Sequence, residues 1–269
     1  MAVPRTVVQL VVPVADVEQA SDDLWQAGPS AVSEEEVGDG RVRLTADVSD
    51  LAAVPERWPA TVLDADTDAH LDEWRRWARP VRAGRSLVLQ PAWSEPAELR
   101  SGDLVVRLDP GRTFGSGSHP STRLVAAALE SHVAGGEAVL DVGSGSGVLG
   151  VVALLLGAAT VTGVDVDGAA AAAATTNARL NDVGDRMRCV TGEVFAVDGR
   201  FDVVVANIGV RVLADVADAI EDRTRPGGLV VLAGLLDEQA DATVARYPAC
   251  RELERRHEDG WTAVVLRRL

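Results

Sequence analysis

Three glycines, Gly143, Gly145 and Gly147, stand at alternate positions in the segment LDVGSGSG, which separates two apolar stretches of the chain. Glycine lets main-chain N–H groups come close to a ligand, and the start of a following helix attracts the negative end of that ligand. Asp141 precedes the glycines, and Asp165 ends the next apolar stretch. A carboxylate there can hydrogen-bond to both hydroxyls of a ribose. The spacing predicts a binding site for a ligand that contains a nucleoside.

Three further polar residues are candidates for chemistry. Asn207 ends the apolar segment FDVVVAN, where its side-chain carbonyl could accept a hydrogen bond from an amine and orient it; the alternative is a turn residue. His119 lies in the polar segment DPGRTFGSGSHPSTR (residues 109–123), where it either acts as a base or shapes the loop beside Pro120. Glu193, after the segment MRCVTG, is a candidate partner for an adenine amino group.

The elements that position these residues follow from the hydrophobic pattern after residue 137. Strand-like and helix-like segments alternate there, which is typical of a doubly wound, mostly parallel α/β sheet. We predict strands at 138–142, 160–166, 187–192, 201–208 and 227–235, and helices at 147–157, 168–183 (with Asp167 as N-cap) and 211–224. The last two segments, 250–258 and 261–269, meet at Asp259-Gly260, a turn typical of antiparallel hairpins. The predicted α/β sheet is therefore closed by an antiparallel hairpin.

The first 66 residues predict a small α+β domain. A strand at 5–13 is followed by a helix at 15–28, on which Val17, Ala20 and Leu24 share one face. Two strands then flank the turn Gly38-Asp39-Gly40, and a short helical piece leads to a strand at 60–65. This order of elements resembles a ferredoxin-like domain.

Residues 67–106 are predicted to connect this domain to the α/β domain at 107–269. A helix at 68–80 places Leu71, Trp74 and Trp77 on one stripe, where they are expected to pack. Extended segments at 85–93 and 103–109 then lead into the first polar loop.

The chain is acidic and contains no lysine. Its 41 acidic and 26 basic residues give a formal net charge of −15, and the first 80 residues, with 16 acidic and 7 basic side chains, carry −9 of it. The exclusive use of arginine fits either a GC-rich genome or an enzyme that modifies lysines and does not offer its own. An acidic surface repels nucleic acid and attracts basic partners, so no direct nucleic-acid substrate is predicted.

Targeting signals and metal-ligand patterns are not recognised in the sequence. The longest apolar run, at 148–159, is too short to span a membrane, and the N-terminus does not resemble a signal peptide, so we predict a cytoplasmic protein without membrane contact. Cys189 and Cys250 lack the spacing of metal ligands, and no metal site is predicted.

Three segments carry a resemblance to a known family: residues 109–123, VLDVGSGSGVLGVVALLLGAATVTGVDVD at 139–167, and FDVVVANI at 201–208. In this order and spacing they resemble the bacterial ribosomal protein L-eleven methyltransferases. The segment DEWRRWARPVRAGRSLVLQPAW at 72–93 is similar to the family's linker, and the resemblance covers most of residues 70–240. It implies an S-adenosyl-L-methionine (SAM)-dependent methyltransferase fold, preceded by a domain that recruits the substrate.

The resemblance also implies roles for individual residues. Thr122 contacts the cofactor, Gly143 and Gly145 belong to the cofactor-binding loop, and Asp165 binds the ribose. Asn207 lies beside the position of methyl transfer and completes the cofactor site.

The chain departs from the family pattern in two places. Ser116, Ser118 and Ser121 stand where threonine is usual, and Gly209 stands where leucine is usual. The glycine widens or loosens the wall that faces the methyl acceptor. It therefore bears on the identity of the acceptor more than on that of the cofactor.

The resulting prediction is a monomeric SAM-dependent methyltransferase that modifies lysine side chains or the N-terminus of a basic ribosomal protein, by resemblance ribosomal protein L-eleven. An acidic recruiting domain suits such a substrate. The alternatives are a lysine methyltransferase for another protein, a small-molecule methyltransferase, a SAM-binding module without activity, and an NAD-dependent oxidoreductase. The last would use the GxGxxG pattern of Gly145, Gly147 and Gly150, but Asp141, Asp165 and the closing hairpin favour SAM.

Overall fold

The structure, a computed structural model, describes residues 6–27, 32–48, 51–63, 78–109, 113, 115 and 117–269. The chain divides into two compact units, Met1–Arg76 and Trp77–Leu269. The helix predicted at 68–80, with Leu71, Trp74 and Trp77, lies outside the described residues except for positions 78–80, which are not helical.

The described part of the first unit contains a four-stranded antiparallel sheet and one α-helix. Val8, Leu10 and Val12 alternate with more exposed residues along the first strand, and they share a core with Ala20 and Leu24 of the helix. The elements are β1 (Thr6–Pro13), α1 (Val17–Gln26), β2 (Val32–Gly38), β3 (Arg41–Val48) and β4 (Thr61–Leu63), in the sheet order β2-β3-β1-β4.

Two local predictions for this unit have different outcomes. The hairpin at Gly38-Asp39-Gly40 is confirmed, and all three residues have positive φ angles, which the two glycines adopt without strain. The helical piece expected before β4 is a single 3-10 turn, Leu51–Ala53, in the part of the unit that the structure describes.

The second unit begins with a small three-stranded sheet. It consists of β5 (Val81–Ala83), β6 (Leu87–Pro91) and β7 (Leu104–Leu108), with β6 antiparallel to β5 and parallel to β7. Leu87, Leu89, Val106 and Leu108 are buried in one core with Leu129 from the helix that follows. The extended segments predicted at 85–93 and 103–109 therefore pack into the core of the second unit.

A seven-stranded sheet forms the centre of the second unit. Its strands are β8 (Ala138–Val142), β9 (Thr160–Asp165), β10 (Met187–Thr191), β11 (Phe201–Asn207), β12 (Thr224–Leu236), β13 (Cys250–Glu258) and β14 (Trp261–Arg268). The order is β10-β9-β8-β11-β12-β14-β13; the first five are parallel, and β14 is antiparallel to both β12 and β13. The predicted parallel sheet with a closing hairpin is confirmed.

Helices cover both faces of this sheet. They are α2 (Pro120–His132), α3 (Val148–Leu155), α4 (Gly168–Leu180), α5 (Val210–Asp215), α6 (Ala217–Arg223) and α7 (Ala240–Val244). Along β11, Val203 and Val205 belong to the core that contains α2 and α3, whereas Val204 and Ala206 belong to the core that contains α5 and α6. Within the described residues, the structure contains no helix with the length and apolar composition needed to cross a membrane.

Helix boundaries agree with the sequence at one site and differ at another. Asp167 caps α4 as predicted, because its Oδ1 accepts a hydrogen bond from Ala169 N at 2.9 Å. The helix predicted at 211–224 is two helices. The backbone leaves the α-helical region at Val216 (φ −104°, ψ 7°), a β-branched residue of low helix propensity.

Candidate functional site

The carboxyl ends of three adjacent strands, β9, β8 and β11, bring the predicted site residues into one row. Val142 of β8 pairs with a residue on each neighbouring strand, and the next residues along the three strands are Asp165, Gly143 and Asn207. Adjacent strands are about 4.8 Å apart, so the main chains of Asp165 and Asn207 are about 10 Å apart. A carboxylate and a carboxamide therefore flank a glycine at one edge of the sheet.

The glycine loop (residues 143–147) is in close contact with the elements on both sides. A Cβ on Gly143 (φ 69°) would lie 2.2 Å from Cγ2 of Ile208, and a Cβ on Gly147 (φ 77°) would lie 2.6 Å from Cβ of Ala174 on α4. Gly234 of β12 also approaches Ile208, since its Cβ would lie 2.5 Å from that residue's main-chain O. Gly234 was not among the predicted site residues, although a glycine inside an apolar strand signals such an approach.

Asp165 is hydrogen-bonded to the main chain on both sides of its carboxylate. Oδ2 accepts from Gly145 N at 2.8 Å, and Oδ1 accepts from Asp167 N at 3.0 Å. The residue is half-buried. Because each carboxylate oxygen can accept more than one hydrogen bond, both remain able to accept from the hydroxyls of a ligand.

Asp141 is the last residue but one of β8, just before the glycine loop, and is only 1% exposed. Burial raises the pKa of its carboxyl from 3.8 to about 7; the hydrogen bond from Gly150 N, at 3.1 Å, lowers the pKa, and the charge of Asp165 raises it. This carboxyl is therefore an internal group that supports the loop and the start of α3, and it does not reach the surface of the row.

Asn207 and Thr122 are adjacent, although they are far apart in the sequence. Nδ2 of Asn207 donates to Oγ1 of Thr122 at 3.4 Å, and the two residues are 8% and 0% exposed. Among the described residues, Oδ1 of Asn207 has no hydrogen-bond partner. The amide nitrogen is thus directed to α2, and the carbonyl oxygen is available as an acceptor.

His119 is the N-cap of α2, with Pro120 in the first turn. Its Nδ1 accepts from Ser121 N at 3.2 Å, and its ring packs edge-on against Trp261 with centroids 4.6 Å apart. Burial lowers its pKa to about 4, with a contribution from the charge of Arg123, so the imidazole is neutral at pH 7. Because Nδ1 accepts from the main chain, the ring proton is on Nε2. The loop-shaping role is supported, and the role of a base is not.

Exposed apolar side chains follow the ends of two adjacent strands, β9 and β10. The end of β10 adjoins Asp165, because Thr191 pairs with it, and the exposed Glu193 follows two residues later. Val166 and Phe195, which were not among the predicted site residues, are 73% and 55% exposed. Val166 directly follows the last residue of β9, and an apolar residue at that position is a signal, since a parallel sheet otherwise buries its apolar side chains. Phe195 lies in the 3-10 turn Val194–Ala196 after β10.

The positions at which the chain departs from the family pattern have different surroundings. A Cβ on Gly209 would meet no atom within 4 Å among the described residues, so none of them fills the space next to it. Ser121 is buried, and its Oγ lies 2.8 Å from Nδ1 of His119. Ser116 lies outside the described residues.

Comparison with known proteins identifies the family. The family model described as "Ribosomal protein L11 methyltransferase (PrmA)" matches residues 14–269. The chain belongs to the ribosomal protein L11 methyltransferase family. It is 40% identical to the ribosomal protein L11 methyltransferase of Pelotomaculum thermopropionicum over 229 residues, 82% of this chain and 74% of the relative. It is 36% identical to that of Thiobacillus denitrificans in an alignment of 300 positions, gaps included, that covers 97% of this chain and 98% of the relative.

Solved structures agree with this assignment. The crystal structure of ribosomal protein L11 methylase from Lactobacillus delbrueckii subsp. bulgaricus has a TM-score of 0.65 and 27% identity, and the match covers 71% of this chain and 98% of that one. A putative SAM-dependent methyltransferase from Streptococcus mutans shares the fold, with a TM-score of 0.50 and 14% identity over 58% and 51% of the two chains. Membership of the L11 methyltransferase family confirms the predicted class of enzyme, a SAM-dependent methyltransferase that acts on a ribosomal protein.

We expect Asp141→Asn to remove a pH dependence of stability. The folded-state pKa of Asp141, about 7, exceeds the ordinary value of 3.8. Between these pH values the folded protein therefore binds more protons than the unfolded chain, and the stability of the wild type falls as the pH rises through that window. Asparagine keeps an oxygen for Gly150 N and has no charge to bury. At pH 8 the variant should be more stable than wild type, by as much as about 4 kcal/mol, and the difference should shrink toward pH 5.

Thermal and urea unfolding at pH 5 and pH 8 measure this difference. Asp185→Asn, at an exposed position, is the control and should change stability equally at both pH values. An Asp141→Asn variant with the wild-type pH dependence would contradict the expectation.

Proposed function

We propose that the row of Asp165, Gly143 and Asn207 is the SAM-binding and methyl-transfer site, and that the acceptors are amino groups of ribosomal protein L11, either lysine side chains or the N-terminus. The observation that carries the proposal is the register of the three strand ends, which sets a carboxylate and a carboxamide on either side of a glycine. Open α/β sheets bind ligands at this edge.

The residues of the row fit the chemical groups of SAM. Asp165 offers two carboxylate oxygens to the ribose hydroxyls, and the glycine loop, including Gly145, offers main-chain atoms and space for close approach. The exposed Val166 and Phe195 offer apolar contact for the adenine ring, and Glu193 can accept from its amino group. When bound, SAM supplies a methyl group on a sulfonium, which is transferred by direct displacement.

We assign the orientation of the acceptor amine to Asn207. A lysine with a pKa of about 10.4 is neutral in roughly one molecule in 2500 at pH 7, and making it neutral costs about 4.6 kcal/mol. Only the neutral amine has a lone pair with which to attack. Oδ1 of Asn207, whose amide is held by Thr122, can accept a hydrogen bond from the amine and direct that lone pair. Thr122, which is adjacent to Asn207, is proposed to contact the cofactor.

We further propose that residues 1–66 recruit the substrate. The strand order β2-β3-β1-β4 supports a ferredoxin-like domain, and the net charge of −9 on the first 80 residues favours encounter with a basic ribosomal protein. The boundaries at 66 and 107, the monomeric state, the cytoplasmic location and the absence of direct nucleic-acid contact stay predictions from the sequence.

The direct test is incubation of the purified enzyme with isotopically labelled SAM and ribosomal protein L11, followed by mass spectrometry of the modified residues. Label is expected on lysine side chains or on the N-terminal amine. The enzyme contains no lysine, so it offers no side-chain amine of its own. A parallel incubation with cell extract identifies other acceptors. Label found only on another protein or a small molecule would favour the alternative acceptors.

We expect Asp165→Ala to weaken SAM binding by about 1.5 to 3 kcal/mol, because hydrogen bonds between a charged group and the ribose are lost. Calorimetry with SAM and with NAD measures it. The matched control is Asp167→Ala, which removes the N-cap of α4 two residues later and should change SAM affinity little. Tight binding of NAD by the wild-type enzyme without binding of SAM would contradict the proposal.

We expect Asn207→Ala to reduce the methyl-transfer rate roughly 30- to 1000-fold, equivalent to about 2 to 4 kcal/mol, because the amine loses an orienting hydrogen bond. SAM affinity should change less. Single-turnover rates with saturating SAM, normalised to folded protein, measure the effect. Thr122→Val, which leaves the Asn207 carbonyl in place, should have a smaller effect on the rate. An unchanged methyl-transfer rate in Asn207→Ala would contradict the proposed role and favour the alternative, in which Asn207 is only a turn residue.

We expect deletion of residues 1–76, the first compact unit, to leave SAM affinity nearly unchanged and to abolish methylation of ribosomal protein L11. The KM of the full-length enzyme for this substrate should rise with salt, since the attraction of an acidic unit for a basic protein is screened. Calorimetry and steady-state kinetics between low and high salt measure both effects. A truncated enzyme that methylates the protein at the full rate would contradict the recruiting role.

A further inference from the structure

Two polar loops are joined by one buried side chain, that of Asn177 on α4. Its Oδ1 accepts a hydrogen bond from Asp109 N at 2.8 Å, and its Nδ2 donates to Asp109 O at 3.0 Å. The same Nδ2 donates to Ser146 O at 2.9 Å. Asp109 begins the first polar loop (residues 109–119), and Ser146 belongs to the glycine loop. Asn177 is 0% exposed and bonds to both loops at once.

A second contact joins the same loops. Oγ of Ser146, which is fully buried, donates to the main-chain O of Gly115 at 2.7 Å. A Cβ on Gly115, whose φ is 102°, would lie 2.5 Å from that Oγ, so this approach requires glycine. Asp109 is therefore attached to Ser146 through the side chain of Asn177, and Gly115 is attached to Ser146 directly.

Helix α4 is itself fixed against the glycine loop. A Cβ on Gly147 would lie 2.6 Å from Cβ and 2.8 Å from Cα of Ala174, so the helix and the loop are in direct contact. Ala174 and Asn177 are three positions apart and lie on the same side of the helix. The small alanine permits the approach, and the asparagine nearly one turn later reaches the main chain of both loops.

We infer that Asn177 is a positioning residue for SAM binding: by bonding to Asp109 and Ser146 together, it fixes Asp109, the first residue of the polar loop, against the glycine loop. The inference rests on the proposed function, because it takes the row at the sheet edge as the SAM site. The hydrogen bonds of Asn177 go to the main chain of the two loops, so it acts through them and not on the ligand.

The contact requires a carboxamide. Asn177 uses one acceptor and two donors at the same time. Aspartate has the same shape, but its second oxygen would face the carbonyl oxygens of Asp109 and Ser146 with no hydrogen between them. Asn177→Asp therefore keeps the bond from Asp109 N and disrupts both bonds that Nδ2 donates, to Asp109 O and to Ser146 O, without a change in volume.

Asn181 provides a matched control on the same helix. Its Oδ1 accepts from Arg107 N at 2.8 Å, and its Nδ2 donates to Arg107 O at 2.7 Å and to Asn177 O at 2.8 Å. These bonds attach β7 to α4, as those of Asn177 attach Asp109, but none of them reaches the glycine loop among the residues that the structure describes. Asn181→Asp thus weakens the attachment of α4 to β7 and leaves the bonds between Asn177 and the two loops in place.

The test compares full-length wild type with Asn177→Asp, Asn181→Asp and Ser146→Ala, by calorimetry with SAM and by steady-state kinetics with ribosomal protein L11. We expect Asn177→Asp to raise the Kd and KM for SAM at least about tenfold. With saturating SAM, kcat should stay within about threefold of wild type, because Asn207 is untouched. Asn181→Asp should change the KM for SAM less than about twofold. Ser146→Ala, which removes only the contact with Gly115, should raise the KM for SAM several-fold.

Three results would each overturn the inference: wild-type SAM affinity in Asn177→Asp, an equal loss of SAM affinity in Asn181→Asp, or an effect of Asn177→Asp on kcat alone. Circular dichroism establishes that the variants fold. If Asn177→Asp does not fold, Asn177→Ser, which lacks the carboxamide, takes its place, and a wild-type KM for SAM in that variant overturns the inference. Absence of SAM binding by the wild-type enzyme would overturn the proposed function, and the two failures are therefore distinguishable.

Discussion

The close contact of the glycine loop with the elements on either side is the constraint on which the rest of the site depends. Gly143 touches Ile208 after β11, and Gly147 touches Ala174 on α4. A methyl group at either glycine would have to be accommodated at a positive φ angle, which residues with a side chain rarely adopt, and at Gly147 it would overlap the main chain of Ala174. The glycines therefore let the loop lie this close to its neighbours, with Gly145 N bonded to the carboxylate of Asp165.

The proposed reaction needs little acid–base machinery. Methyl transfer from a sulfonium requires a neutral nucleophile in line with the methyl group, and the largest cost lies in deprotonating the amine. His119 is engaged as a helix cap and is not available to accept that proton. In the proposed mechanism, the chain contributes orientation, by a carboxamide whose nitrogen is held by Thr122.

Much of this could be predicted from the sequence, because the strict alternation of strands and helices sets where each strand ends. Asp165 and Asn207 end apolar segments, and parallel strands bring such ends to one edge. Gly234, Val166 and Phe195 could not be identified in this way. An apolar pattern marks core residues but does not show which of them lie past the sheet edge, and a close approach depends on neighbours distant in sequence. The break between α5 and α6 at Val216 is likewise a local departure that periodicity does not resolve.

The bonds of Asn177 have a consequence for how this enzyme can change over generations. Its partners at Asp109 and Ser146 are main-chain atoms, which every amino acid except proline supplies in full. The side chain at position 109 can therefore be exchanged for any other except that of proline without loss of those bonds, whereas position 177 needs a short carboxamide to keep all three. At this contact the freedom to vary lies in the loop, and the restriction on residue type is moved onto a helix.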